Sequence, residues 1–256
     1  METSNRRTQG LITLELFQLS RKSMADFLLA LKGAGVYTPK EILQNAWAAA
    51  HQKSGKPMEA FLDTKMPAIF EKLLRADLQK IGFSINEIVA LGNQIEFTNL
   101  SSTAVQNWVK RDVKELIGSP QNGKKYSVDQ AAMLFIVEDL KATLDFDSIR
   151  KILALLFNDL DDRTDDVIEP IPFYSAYAAI FEKVHHHNVV SESMHEEIEQ
   201  CIKKEALRTL ETFQDLTGQQ KDIVSSILVT ASLTVISAYY KSLTKKYVTA
   251  TLFLNG

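Results

Sequence analysis

The sequence predicts an all-α fold, and three observations carry that reading. Apolar residues recur at helical spacings along nearly the whole chain, and helix-start signatures recur between them. Only 10 Gly and 6 Pro interrupt 256 residues, too few breakers for an all-β or collagen-like chain. With 45% hydrophobic and 24% charged residues, the chain is globular and long enough to bury one or two cores. Its single cysteine excludes a disulfide framework and a cysteine-based zinc site, and suits a reducing compartment. The start METSNRRTQG leads into no continuous apolar segment with a cleavage site, so a cytoplasmic location is expected. The net charge of −3 is not that of a polycation, and any nucleic-acid contact must come from a local patch.

Residues 1–65 read as an N-terminal helical extension. Met1 to Gln9 are polar, after which Phe17, Met24, Phe27, Leu28 and Leu31 lie at helical spacings ahead of Gly33 and Gly35. Thr38, Pro39 and Glu41 supply a cap, a first-position proline and a reciprocating carboxylate for a helix to about Gly55. Residues 66–158 read as a second unit. Ile69, Leu73, Leu74 and Leu78 share a stripe, and Ser84 with Glu87 makes a capping box for a short helix through Leu91. Another helix spans about Ser102 to Asp112, Ser127 caps a strongly apolar one, and a last one restarts after Asp145.

Residues 159–172, DLDDRTDDVIEPIP, form an acidic linker whose prolines oppose helix continuation. Residues 173–256 then read as a C-terminal helical region for dimerisation or sensing. Its helices run from Phe173 to about His187, Ser191 to about Leu216 and Gln219 to about Leu243, with a capping box at Ser193 to Glu196. The tail YVTATLFLNG reads as β-like.

Two short helices, Ile85 to Asn93 and about Ser102 to Asp112, flank a polar turn in a spacing that suits a helix-turn-helix (HTH). Val105, Trp108 and Val109 would face inward, leaving Thr103, Gln106, Asn107, Lys110 and Arg111 in solvent. Gln106 and Asn107 suit base edges, because a side-chain amide pairs with adenine through two hydrogen bonds. Thr103, Lys110, Arg111, Lys124 and Lys125 suit phosphates. Between Ser101 and Ser127 five lysines and arginines face two acids, a local charge of +3. Asn122–Gly123 permits a tight reversal, so Lys124 and Lys125 would ride on a wing. Tyr126 would anchor that wing to the following helix.

The run SSTAVQNWVKRDV, followed by GKKYSVDQAAMLFIVEDLKATLDFDSIRKIL, resembles a bacterial family known as domain of unknown function 1836. The matching residues are Asn107, Trp108, Val109, Lys110, Lys125, Tyr126, Ser127, Leu140, Lys141 and Ile149. They lie in a stretch of roughly Met66 to Leu156. The family's HTH in turn resembles the DNA-binding half of MerR-type regulators, which implies a MerR-like winged HTH followed by a helical pair. Gln106 stands where MerR proteins carry Arg, Asp112–Val113 stands in place of Gly-Leu, and the connector is longer.

Other constellations give less. His185, His186 and His187 are consecutive and would point in three directions, so no metal site is expected. The acidic linker places Arg163 and Thr164 where a calcium loop needs an oxygen ligand and glycine. Cys201 reads as a packed thiol. No nucleotide-binding or hydrolase motif is present, so neither an enzyme nor a cofactor is expected. Ile223 to Tyr240 is uncharged for 18 positions, with Ser226, Thr230, Thr234 and Ser237 along one side. That pattern fits a buried or dimer-forming helix better than a membrane anchor. The resulting expectation is a cytoplasmic, homodimeric transcription regulator that binds double-stranded DNA. The alternative is a protein–protein module that reuses the HTH scaffold, with an unknown effector or protein as partner; a membrane-tethered regulator ranks third.

Overall fold

Hydroxyl caps mark where helices begin, as the sequence leads one to expect. Thr38 accepts from the Glu41 N–H while Glu41 accepts from the Thr38 N–H and hydroxyl. Ser84 and Glu87 exchange the two backbone N–H to side-chain bonds of the same box, and Ser127 does so with Gln130. The structure, a computed structural model, describes residues 18–54, 66–158, 165–188 and 196–255. The polar start Met1 to Gln9, Phe17, linker residues 159–164 and most of the Ser193–Glu196 box lie outside the described residues. The side chains of His186 and His187 do so as well.

Among the described residues the fold is all-helical, with three isolated β-bridges and no strand. The helices are α1 (Arg21–Leu31), α2 (Pro39–Ser54), α3 (Ala68–Leu74), α4 (Ile85–Gly92), α5 (Ser102–Asn107) and α6 (Lys114–Ile117). After them come α7 (Val128–Leu140), α8 (Phe146–Leu153), α9 (Pro170–Asn188), α10 (Glu196–Leu210) and α11 (Gly218–Asn255). Helix α7 is buried on almost every side, and α1, α6, α9 and α11 pack around it. Helix α9 also seats α10, and α10 lies along α11. One hydrophobic core therefore runs from Leu19 to Val235.

Four elements differ from the sequence reading. Helix α3 stops at Leu74, so Leu78, expected on its stripe, lies in a separate 3₁₀ turn capped by Asp77 and is 40% exposed. Helix α9 starts at Pro170 rather than Phe173, because a first-turn proline lacks only an N–H that a helix start leaves unbonded. Helix α10 stops at Leu210 rather than Leu216, and the chain turns through Asp215 at φ 66°. The tail is helical: α11 continues to Asn255. No Gly or Pro stands between Gln219 and Asn255, so propagation outweighs the weak helix preference of Val248, Thr249 and Thr251. The hydroxyls of Thr230, Ser232, Thr234 and Thr244 bond back to carbonyls of α11 itself, at 2.7 to 2.9 Å.

A buried ion pair ties the N-terminal helix to the centre. Arg21 donates through Nη2 to Asp139 Oδ1 at 2.8 Å and through Nε to both carboxylate oxygens at 3.0 Å. Tyr177 donates to Asp139 Oδ2 at 2.8 Å. Arg21 is 1% and Asp139 4% exposed. Burial opposes the guanidinium charge, but Asp139 more than offsets that and raises the Arg21 pKa above its ordinary value. Burial, with Asp139 alongside, pushes the Tyr174 and Tyr177 phenols well above theirs.

Gly92 closes α4 where no side chain fits. A Cβ there would lie 2.2 Å from Leu100 Cδ1 and 2.9 Å from Phe135 Cε1, both inside the core. Gly92→Ala should therefore lose about 1–3 kcal/mol by overpacking. A denaturant midpoint equal to that of the wild type would show that Leu100 moves aside freely.

Candidate nucleic-acid interface

Helices α4 and α5 pack against each other across a connection of nine residues, Asn93 to Ser101. That is longer than the three or four residues usual in an HTH, and its backbone groups are bonded accordingly. The Asn93 side chain donates to the Leu100 carbonyl at 3.0 Å and accepts from the Leu100 N–H at 2.7 Å. The middle of the connection pairs with the chain before α1: Leu19 N–H donates to Gln94 and Glu96 N–H to Leu19. Arg21 Nη1 donates to the Glu96 carbonyl at 2.9 Å. Phe97, at φ 60°, lies under the Arg21 guanidinium and meets Tyr239 of α11 edge-to-face at 5.2 Å. A non-glycine residue held at positive φ costs about 1 kcal/mol or more, and these contacts hold it there.

Ser101 caps α5 by accepting from the Ala104 N–H. Val105, Trp108 and Val109 face the core, as their spacing predicts. Trp108 packs on Phe146 and takes the Lys141 ammonium over its face at 5.5 Å. From Trp108 to Asp112 the helix widens into a π turn, in which Val113 N–H donates to the Trp108 carbonyl five residues back. Arg150 of α8 donates to the Asp112 carbonyl at 2.6 Å and satisfies the end of that turn. Thr103, Gln106, Lys110 and Arg111 are exposed, and Asn107 is half-buried.

Beyond α6, Gly118 takes φ 71° and the chain enters a two-residue hairpin. Asn122 and Lys125 exchange backbone bonds at 2.9 and 3.0 Å, with Gly123 at φ 66° as the first central residue. Lys124 and Lys125 are exposed at its tip. Tyr126 and Phe83 then exchange two bonds at 2.8 Å, and the Asn122 side chain donates to the Ile81 carbonyl at 2.7 Å. The hairpin is thereby fastened to the segment that leads into α4. Gly82 lets it approach, since a Cβ there would lie 3.0 Å from the Asn122 side chain and from Lys125 Cβ.

The structure thus joins the seven sequence-assigned residues into two surface groups. Thr103, Gln106, Asn107, Lys110 and Arg111 sit on α5 and its π turn, and Lys124 and Lys125 sit on the hairpin. The sequence reading missed the Arg21–Asp139 pair, which supports the connection from behind. Its visible signal was Asp139 within the apolar run of α7.

At the entry to α4, burial would raise the Glu87 pKa. The Lys72 ammonium and the Ser84 N–H outweigh that and hold it at about 2, below its ordinary 4.5. A lowered carboxylate pKa contributes stability above the unfolded value, and that contribution is lost as pH falls from about 4.5 through about 2. Glu87→Gln keeps a residue able to complete the capping box but removes the charge. It should cost about 1 kcal/mol at pH 7, discounted for the exposed lysine, and flatten acid unfolding in that window. An unchanged acid-unfolding curve would count against the Lys72 contact.

Residues 74–177 match a domain of unknown function, DUF1836. An uncharacterised Bacillus subtilis (strain 168) protein, YkrK, is 38% identical over 234 residues, which is 91% of this chain and 97% of that protein. The chain belongs to the DUF1836 family. No solved structure matches it. The DUF1836 segment takes in α4, α5, α6, the hairpin, α7, α8 and the start of α9, through Tyr177. It includes Asp139 but not Arg21, so the cation of the buried pair comes from outside the matched domain.

Two further sequence candidates lie among the described residues. His185 packs at a tilt on Phe181 and meets Tyr239 edge-to-face, and Cys201 is half-buried. Among the described residues no group of His, Cys, Asp and Glu could hold a metal ion.

Proposed function

We propose that this DUF1836 chain is a cytoplasmic transcription regulator that grips double-stranded DNA through a MerR-like winged HTH. The observation that carries the reading is the division of α5 and its π turn into two faces. Val105, Trp108 and Val109 are buried, while Thr103, Gln106, Lys110 and Arg111 are in solvent. Gln106 and Asn107 are assigned to base edges. Thr103, Lys110, Arg111 and the hairpin lysines Lys124 and Lys125 are assigned to phosphates, the hairpin acting as the wing. A buried aromatic under the exposed Gln106, Lys110 and Arg111 and the half-buried Asn107 fixes a reading helix without spending its cations on the core.

The nine-residue connection and Gln106 weigh toward a second reading, an HTH scaffold that holds a protein partner instead. Selection of double-stranded DNA from a random pool by the purified chain separates the two. Enrichment of one motif, lost in Gln106→Ala with Asn107→Ala, is expected. A pool that stays random after repeated rounds overturns the DNA reading.

A further inference from the structure

Residues Arg75 to Lys80, between α3 and α4, are all exposed. The 3₁₀ turn Leu78–Lys80 within them buries no side chain, so packing against the core does not hold it in place. The hairpin does. The Asn122 side chain donates to the Ile81 carbonyl at 2.7 Å and lies 3.4 Å from the Lys80 carbonyl. Gly82 then lets Lys125 come against the chain, and Phe83 bonds to Tyr126. Turn and hairpin tip are thus one body, and both carry lysines: Lys80, 86% exposed, beside the exposed Lys124 and Lys125.

The first turn of α4 carries this body on toward α5. Burial would raise the Glu87 pKa, while Lys72, the Ser84 N–H and Lys125 lower it, so both lysines stand beside that turn. From the same turn Asn86 accepts from the Ser102 hydroxyl at 3.0 Å, next to Thr103. Five cations, Lys72, Arg75, Lys80, Lys124 and Lys125, therefore stand among three carboxylates, Glu71, Asp77 and Glu87. Glu87 is engaged by its cap and by Lys72. Asp77 lies 3.8 Å from Lys80 with both side chains in solvent, where such a pair is weak.

We propose that Lys80 is a further phosphate contact: the 3₁₀ turn and the hairpin form a double wing whose lysines grip the duplex backbone side by side, with Asn122 as the positioning residue between them. This rests on the DNA reading of α5 and extends its footprint to the segment before α4. Phosphates fit this surface better than a protein partner does. Protein interfaces are depleted in lysine and enriched in aromatic residues, whereas residues 72–80 and 118–125 offer lysines and no aromatic. A lysine ammonium on its flexible stem also meets a phosphate as a point charge, with no fixed partner geometry required.

The test measures the affinity of the purified full chain for a mixed-sequence duplex at several salt concentrations, since non-specific binding reports the phosphate contacts. Lys80→Ala should lower the slope of log affinity against log salt by about 0.9, and the affinity about threefold near physiological salt. Lys80→Arg should keep both at the wild-type values. Lys203→Ala removes the same charge from α10, where Lys203 is exposed and likewise beside a carboxylate, and should change neither. Asn122→Ala should weaken binding at unchanged helicity, and adding Lys80→Ala to it should cost less than Lys80→Ala alone. A wild-type slope in Lys80→Ala overturns the proposal, as does an equal loss in Lys203→Ala, which would mark a general effect of charge. Full additivity of Lys80→Ala and Asn122→Ala overturns the positioning role. Lys110→Ala with Arg111→Ala on the same duplex keeps the two readings apart. If that pair flattens the slope and Lys80→Ala does not, the α5 contact stands and the double wing falls; a wild type that binds no duplex overturns both.

Discussion

Replacing Lys110, Arg111, Lys124 and Lys125 together by alanine should weaken DNA binding roughly a hundredfold or more near physiological salt. Each phosphate neutralised releases condensed counterions and contributes about 0.9 to the slope of log affinity against log salt. The quadruple variant should therefore flatten that slope by about 3 to 4 per chain. Affinity measured at four or five salt concentrations on one duplex gives the comparison. Unchanged folding is expected, because all four side chains are exposed. Equal affinity and equal slope in wild type and variant would reject this surface as the DNA contact. Gln106→Ala with Asn107→Ala should behave differently: the salt slope stays, while discrimination between sequences falls.

Asp139→Asn should be the most damaging single substitution for stability. It preserves shape but leaves Arg21 charged, at 1% exposure, beside a neutral amide, with the Glu96 carboxylate at 4.0 Å as its remaining anion. Breaking one side of a buried pair costs about 3–5 kcal/mol, a large part of the 5–15 kcal/mol that typically holds a domain together. Tyr177→Phe, which removes one hydrogen bond to the same carboxylate, should cost about 1 kcal/mol. Arg21→Met combined with Asp139→Leu should recover most of the loss, since apolar replacement of both partners removes the stranded charge. Denaturant midpoints for the four proteins decide the matter. A loss below 1 kcal/mol in Asp139→Asn would mean that water reaches the pair.

What was legible in the sequence was what local physics fixes. A Ser or Thr three residues before Glu or Gln marks a helix start wherever it falls, so Thr38, Ser84 and Ser127 could be read directly. Trp108 could be placed inward because Val105 and Val109 share its stripe. The hairpin reversal followed from Asn122 and Gly123. What stayed hidden depends on residues far apart. Arg21 and Asp139 are separated by 118 positions, and a lone arginine at a helix start reads as solvated. The length of α11 was misjudged because its last residues are β-branched and aromatic, although no breaker stops the helix. The π turn left no local mark at all, since the same residues are compatible with an ordinary α-helix.

That wide turn has a consequence for how the surface could change. It amounts to one residue inserted into an otherwise regular spiral, downstream of the buried indole. Excising a single position from it would rotate everything beyond by about 100° relative to the preceding turn, so that different functional groups point outward without any being replaced. The chemistry this face offers is thus set partly by backbone winding, and under the proposed DNA contact an insertion or deletion at this point would alter recognition more abruptly than most exchanges of side chain.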